Sequence, residues 1–233
     1  MVFALASVSF VNNGIAFNLS QVNTCSRIAS SNGADLVCFG EAFLQGFDSL
    51  SWNYEIDKGI AMTQDSLEMA SVKQMSLDHH IDILLGYIER EQHNLYSSCA
   101  LITKGCILTN YRRISKGWKK PRCDENHYKE GDDVQEFEYK NKVCKIAICG
   151  DLWDCKERFL HCEMLFWPVF VDFTEKQWED HLQEYADQAS VCARTFMINS
   201  ISKESKAIGG SACFSHNNAV HQYPLHAEGL LYV

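Results

Sequence analysis

The chain has 233 residues, 46% of them hydrophobic, and a formal net charge of −9. That length and apolar content suffice for one large αβ core, and the acidic balance speaks against nonspecific nucleic-acid binding, which depends on phosphate-neutralising cations. No apolar run approaches the roughly 20 residues that cross a bilayer, and no basic residue precedes Arg27 to start a secretory leader. Eleven cysteines, an odd number without a leader, therefore point to reduced thiols in a cytoplasmic protein.

Val2 to Phe10 alternates like a strand, and Ala16 to Ser31 carries apolar side chains at helical spacing, with Gly33 suited to the carboxyl cap. Asp35 to Phe39 is a second strand, closed by Gly40-Glu41 and followed by Gly46-Phe47. A helix is predicted from Asp57 to Asp78. Ile81 to Ile88, Leu95 to Thr103 and Cys106 to Tyr111 read as strands, the last two joined in a hairpin at Lys104-Gly105. The hairpin runs into Arg112-Arg113-Ile114-Ser115-Lys116-Gly117-Trp118, and Ser115 to Asp133, rich in Gly, Pro and charge, reads as a long loop over a site.

Lys142 to Ile148 is a largely apolar strand that stops at Cys149-Gly150-Asp151-Leu152-Trp153-Asp154, which reads as a tight turn into a helix. The helix continues beyond Asp154 and gives way to a strand from Met164 to Trp167, stopped by Pro168. Then come a helix from Gln177 to Ala193, a strand from Phe196 to Ile201 and, after Gly209-Gly210, two strands turning at Asn217-Asn218. The alternation describes a layered αβ protein, one domain over residues 1–233, with no fixed-period repeat and no low-complexity linker.

Three strand ends thus carry a carboxylate, a cation and a thiol, the set that acyl transfer to cysteine requires. A thiol at a strand's carboxyl end, close to helix amides, is expected to favour its thiolate. Metal binding has less support, because Cys-x-x-Cys and His-Glu-x-x-His are both absent. His79-His80 reads as a solvent-facing helix end, and His216, His221 and His226 lie in a polar carboxyl region.

On Glu41 with Gly46-Phe47, the basic string, Cys149-Gly150-Asp151-Leu152-Trp153-Asp154 and Gly209-Gly210-Ser211, the chain resembles the nitrilase, or carbon-nitrogen hydrolase, superfamily. The resemblance implies a single-domain α-β-β-α four-layer sandwich that pairs into a homodimer, with a Glu-Lys-Cys triad and no cofactor or metal. Glu41 matches the general base and Cys149 the nucleophile. The usual string Tyr-Arg-Lys-x-His-Leu is here Tyr111-Arg112-Arg113-Ile114-Ser115-Lys116, so Lys116 is the favoured cation and Arg113 the alternative. Asp124, with Glu125 beside it, stands where many relatives carry a second glutamate. Lys116 and the Gly150 amide would hold the oxyanion, while Trp153, Trp118, Phe47 and Trp167 would wall the pocket.

The leading function implied is hydrolysis of the C–N bond of a small linear amide or carbamoyl compound through a thioester, releasing ammonia; nitriles rank behind amides. One alternative is a free-standing glutaminase that supplies ammonia to a partner. The other is a catalytically weakened relative that binds a small molecule or a protein.

Overall fold

Side-chain alternation sets the layers. In the computed structural model, which describes residues 1–121, 123–204, 206–215 and 218–233, β1 (Phe3–Ser7) turns Phe3 and Leu5 into one core and Ala4 and Ala6 into another. β2 (Leu36–Cys38) repeats the pattern, with Leu36 and Cys38 on the first side and Val37 on the second. Both faces of these strands are therefore buried, as a layered parallel sheet requires.

The chain continues through α1 (Ile15–Ser31), α2 (Tyr54–Asp57), α3 (Leu67–Asp78), β3 (Asp82–Glu91), β4 (Asn94–Thr103) and β5 (Cys106–Arg112). The second half holds β6 (Phe137–Tyr139), β7 (Lys142–Ile146), α4 (Asp151–Asp154), β8 (Cys162–Val169), α5 (Glu175–Ala189) and β9 (Cys192–Asn199). It closes with β10 (Ile201–Ser202), β11 (Ala207–Ile208), β12 (Ala212–Ser215), β13 (Asn218–Gln222) and β14 (Gly229–Tyr232). Among the described residues two six-stranded sheets form, in the orders β14-β1-β2-β3-β4-β5 and β13-β12-β9-β8-β7-β6. α1 and α3 cover the outer face of the first sheet through Val22, Cys25, Ala29, Met69 and Val72. Trp178, Tyr185 and Ala186 of α5 join the core of the second sheet. The inner faces meet at Phe3, whose ring lies 5.0 Å from Phe196 and 5.6 Å from Phe166. This is the α-β-β-α sandwich. No helix among the described residues is long and apolar enough to cross a membrane.

Several boundaries depart from the sequence reading for local reasons. The helix predicted from Asp57 to Asp78 begins only at Leu67; Asp57 instead ends the separate α2, its carboxylate accepting from the Ser51 and Trp52 amides at 2.9 and 2.8 Å. Ser66 then caps α3 through Met69 N–H. The helix expected beyond Asp154 is a single turn, α4, and a short 3-10 turn at Lys156–Phe159. Pro168 does not stop its strand, since β8 runs on to Val169 with Pro168 opposite Ile198. α5 ends at Ala189, where β9 begins within three residues, earlier than the Phe196 start expected. The Lys104-Gly105 hairpin has φ of 49° and 75°, the paired positive values of a tight two-residue turn. β12 and β13 pair antiparallel as expected, although Asn217 of the anticipated turn lies outside the described residues, as does His216. β14 instead returns to the first sheet beside β1.

Cysteine pairing also departs from expectation. Cys162 and Cys192 lie opposite one another in β8 and β9, Cα atoms 5.3 Å apart, and form a disulfide. The expectation of reduced thiols throughout is thus corrected; a spacing of 30 residues carries no trace of that register.

Candidate functional site

Cys149 follows the end of β7 and takes a left-handed backbone conformation, φ 41°. A non-glycine residue rarely sits there without being held. Its N–H donates to Pro168 O at 3.0 Å, and its carbonyl accepts from the Trp167 indole Nε1 at 2.9 Å. Two residues on, Asp151 is fully buried and fully used. Its Oδ2 accepts from Ile148 N–H at 2.8 Å and Tyr111 O–H at 2.7 Å, and its Oδ1 accepts from Ser115 N–H at 2.8 Å and Ile114 N–H at 3.1 Å. One carboxylate thereby ties the turn after β7, on the second sheet, to the segment after β5, on the first.

Glu41 reaches the same place from the end of β2 and is 1% exposed. Its segment passes so close to β3 that a Cβ on Gly86 would lie 2.1 Å from Gly40 O, which explains a glycine in the middle of that strand. Glu41 Oε1 accepts from Ser97 O–H at 2.9 Å and from Arg113 Nη1 at 2.8 Å. Its other oxygen, Oε2, is buried with no hydrogen-bond partner among the described residues.

The structure brings Arg113, not Lys116, to Glu41. Arg113 is the first residue beyond β5 and is 3% exposed, with Nε donating to Ser115 Oγ at 2.7 Å and Nη2 facing Gly150 and Gly117. Burial works against its charge, but the carboxylate of Glu41, with Cys149 and Asp151 nearby, outweighs this and raises its affinity for the proton. Lys116 opens the short turn Lys116–Trp118 and is exposed. Of the two cations the sequence offers, the alternative, Arg113, is the one that faces inward: strand pairing of Ser98 with Arg112 sets the residue after β5 toward Glu41, while the turn that follows carries Lys116 out.

Cys149 is partly buried, and burial, the largest influence, pushes its thiol up to about 12; Glu41 adds to this and Arg113 opposes it. Its Sγ lies 3.8 Å from Phe170 O. Burial and the neighbouring carboxylate thus work against the thiolate expected at this position. α4 is a single turn, and its amides do not compensate for a low-dielectric setting beside a carboxylate.

The remaining anticipated residues divide. Phe47 stacks on Phe170 at 4.2 Å, which brings it to the segment whose carbonyl faces Cys149. Trp118 is buried with Trp52 and Tyr128 in a cluster that includes Ala42, the residue after Glu41. Trp153 is 41% exposed, its ring edge-on to Tyr185 at 5.3 Å. Trp167 is fully buried and holds the Cys149 carbonyl; it is no wall. Asp124 is exposed and closes its own turn by accepting from Asn126 N–H at 2.9 Å, with Glu125 exposed beside it. Neither joins Glu41. The buried carboxylate in that region is Asp57, which accepts from Tyr128 O–H at 2.6 Å. Ser97 and Ser115 escaped the sequence reading, and Trp167 entered it only as a pocket wall, because such side chains carry no sequence signal of their hydrogen-bond partners.

Comparisons with known proteins agree with this fold. The family model described as carbon-nitrogen hydrolase matches residues 5–233. An arylacetonitrilase of Aspergillus kawachii is 34% identical over 101 residues, which span 39% of this chain and 31% of that enzyme. A glutamine-dependent NAD(+) synthetase of Thermotoga maritima is 23% identical over 137 residues, 59% of this chain and 23% of the synthetase. These matches span less than a third of the curated relatives' length. The crystal structure of an amidase from Nesterenkonia superposes with a TM-score of 0.82 at 14% identity, covering 100% of this chain and 89% of that one. By the match over nearly its whole length, the chain belongs to the carbon-nitrogen hydrolase family.

Proposed function

We propose that the protein hydrolyses the C–N bond of a small linear amide or carbamoyl compound through a thioester on Cys149. The observation that carries this reading is a buried carboxylate with one oxygen held by Arg113 and Ser97 and the other unpartnered, beside a thiol on a strained turn. Glu41 takes the Cys149 proton as sulfur attacks the carbonyl carbon, so deprotonation and bond formation go together and no free thiolate is needed. Negative charge on the former carbonyl oxygen is met by the Gly150 N–H and the Arg113 guanidinium. Collapse breaks the C–N bond, and the proton on Glu41 leaves with ammonia. Water then attacks the thioester, gives its proton to Glu41 and restores the thiol as the acid departs.

Arginine stays protonated under all ordinary conditions, so Arg113 stabilises charge while Glu41 alone carries protons. A Glu-to-Gln mutant of the Nesterenkonia amidase, in which acrylamide has undergone Michael addition at the active-site cysteine, supports a nucleophilic cysteine in this fold. A second reading, a glutaminase supplying ammonia to a partner, draws on the match to NAD(+) synthetases. Intact-mass analysis after incubation with a mixed amide library that includes glutamine tests both. An acyl adduct on Cys149, absent in Cys149→Ala, is the expected result, and its mass names the acyl group. An intact protein that never acquires an adduct or releases ammonia would favour a weakened, ligand-binding relative.

A further inference from the structure

β8 grips Cys149 from both sides. Pro168 O takes its N–H at 3.0 Å, and the neighbouring side chain, Trp167, donates Nε1–H to its carbonyl at 2.9 Å. The Cys149–Gly150 peptide is trans, so its C=O and N–H point in opposite directions. Holding the carbonyl on the indole therefore aims the Gly150 N–H away from Trp167, and among the described residues no acceptor takes that N–H.

The peptide itself is prone to turn. Gly150 has no Cβ to resist rotation on one side, and Cys149 at φ 41° sits in a sparsely populated region on the other. A flipped peptide would present a carbonyl oxygen where the amide N–H now points, repelling an oxyanion instead of binding it. The indole, by contrast, is fixed: Trp167 is fully buried in β8 and stacked on Tyr185 at 5.4 Å.

We infer that Trp167 is a positioning residue: its indole N–H latches the Cys149–Gly150 peptide in the orientation that offers Gly150 N–H to the oxyanion. This rests on the reaction proposed above. The latch would not alter the sulfur's access or its reaction with reagents that build no oxyanion.

Trp167→Phe keeps most of the ring and the stacking surface but removes the donor. Two reactions of Cys149 then separate the latch from general damage. Acylation by p-nitrophenyl acetate passes through an oxyanion, and its nitrophenolate burst should slow roughly 10- to 100-fold, a fraction of the loss typical of a deleted donor. Alkylation by iodoacetamide builds no oxyanion and should stay within about twofold. Equal slowing of both reactions, or of neither, would overturn the inference. A third measurement needs no turnover. Cys149-Gly150 is the sole Cys-Gly pair in the chain, so Cys 13C-carbonyl with Gly 15N labelling yields a single HNCO peak. That peak should move in Trp167→Phe; a peak unchanged from wild type would overturn the latch. Failure of wild type to acylate, with the peak still moving, would instead count against the proposed reaction.

Discussion

Gly150→Ala tests how tightly the arginine is built into this site. The new methyl carbon would lie 2.5 Å from Arg113 Nη2, whereas non-bonded heavy atoms settle near about 3.5 Å, so about 1 Å of overlap must be relieved. The backbone contributes no strain, because Gly150 has φ −63° and ψ −10°, which alanine adopts freely. The cost falls on the guanidinium, held by Glu41 at 2.8 Å and Ser115 at 2.7 Å. Displacing it by that amount breaks at least one of the two, and a hydrogen bond involving a charged group is worth about 1.5–3 kcal/mol. Urea unfolding should register a loss of that size. Acylation of Cys149 by p-nitrophenyl acetate should slow roughly 10- to 100-fold if the same energy is lost from the transition state. Lysine has no third nitrogen to reach residue 150, so Arg113→Lys in the Gly150→Ala background should recover part of both losses, with a coupling of about 1 kcal/mol or more. Strict additivity of the two substitutions would refute the steric argument.

Arg113→Ala should cost about 3 kcal/mol of transition-state stabilisation, while Lys116→Ala, at an exposed position, should stay within about 0.5 kcal/mol in the same amide assay; the reverse ranking would return the role to Lys116. Glu41→Gln should slow thioester formation and hydrolysis together by about a hundred-fold or more, and weakened binding with normal turnover would make Glu41 a pocket wall. The Cys149 thiol, pushed up to about 12 by burial, should alkylate about tenfold faster per pH unit from about pH 7 to 10, following the thiolate fraction; a plateau near pH 9 would contradict its burial. Because the unfolded chain ionises this thiol first, its contribution to stability is present below about pH 8.5 and should fade as pH rises toward the folded value, which urea unfolding across that range would detect.

The sandwich was legible where a strand's two-residue alternation and its bounding turn agreed, as at Phe3–Ser7 and the Lys104-Gly105 hairpin. It was less so where a side chain decided a boundary: Asp57, the last residue of α2, binding Ser51 and Trp52 is a tertiary choice that periodicity does not record. The candidate site followed the same division. Glu41 and Cys149, read from pattern, do lie just beyond strand ends, whereas which of Arg113 and Lys116, three residues apart, faces inward after β5 is not written in the spacing. Burial beside Glu41, which a strand pattern does not record, works against the thiolate that the single-turn α4 was expected to favour.

Asp151 bonds to both Ser115 N–H and Ile148 N–H, and those two segments hang from different sheets. In the proposed reaction the proton would pass from a thiol beyond β7 to a carboxylate beyond β2, across the seam of the sandwich, so its path would depend on how the two sheets sit on one another at the Phe3, Phe166 and Phe196 rings. Trimming one of those rings would act as a change in reach between acid and thiol as well as a packing defect. Turnover should then fail at temperatures where each sheet is still intact, so heat inactivation would report the seam before it reports unfolding.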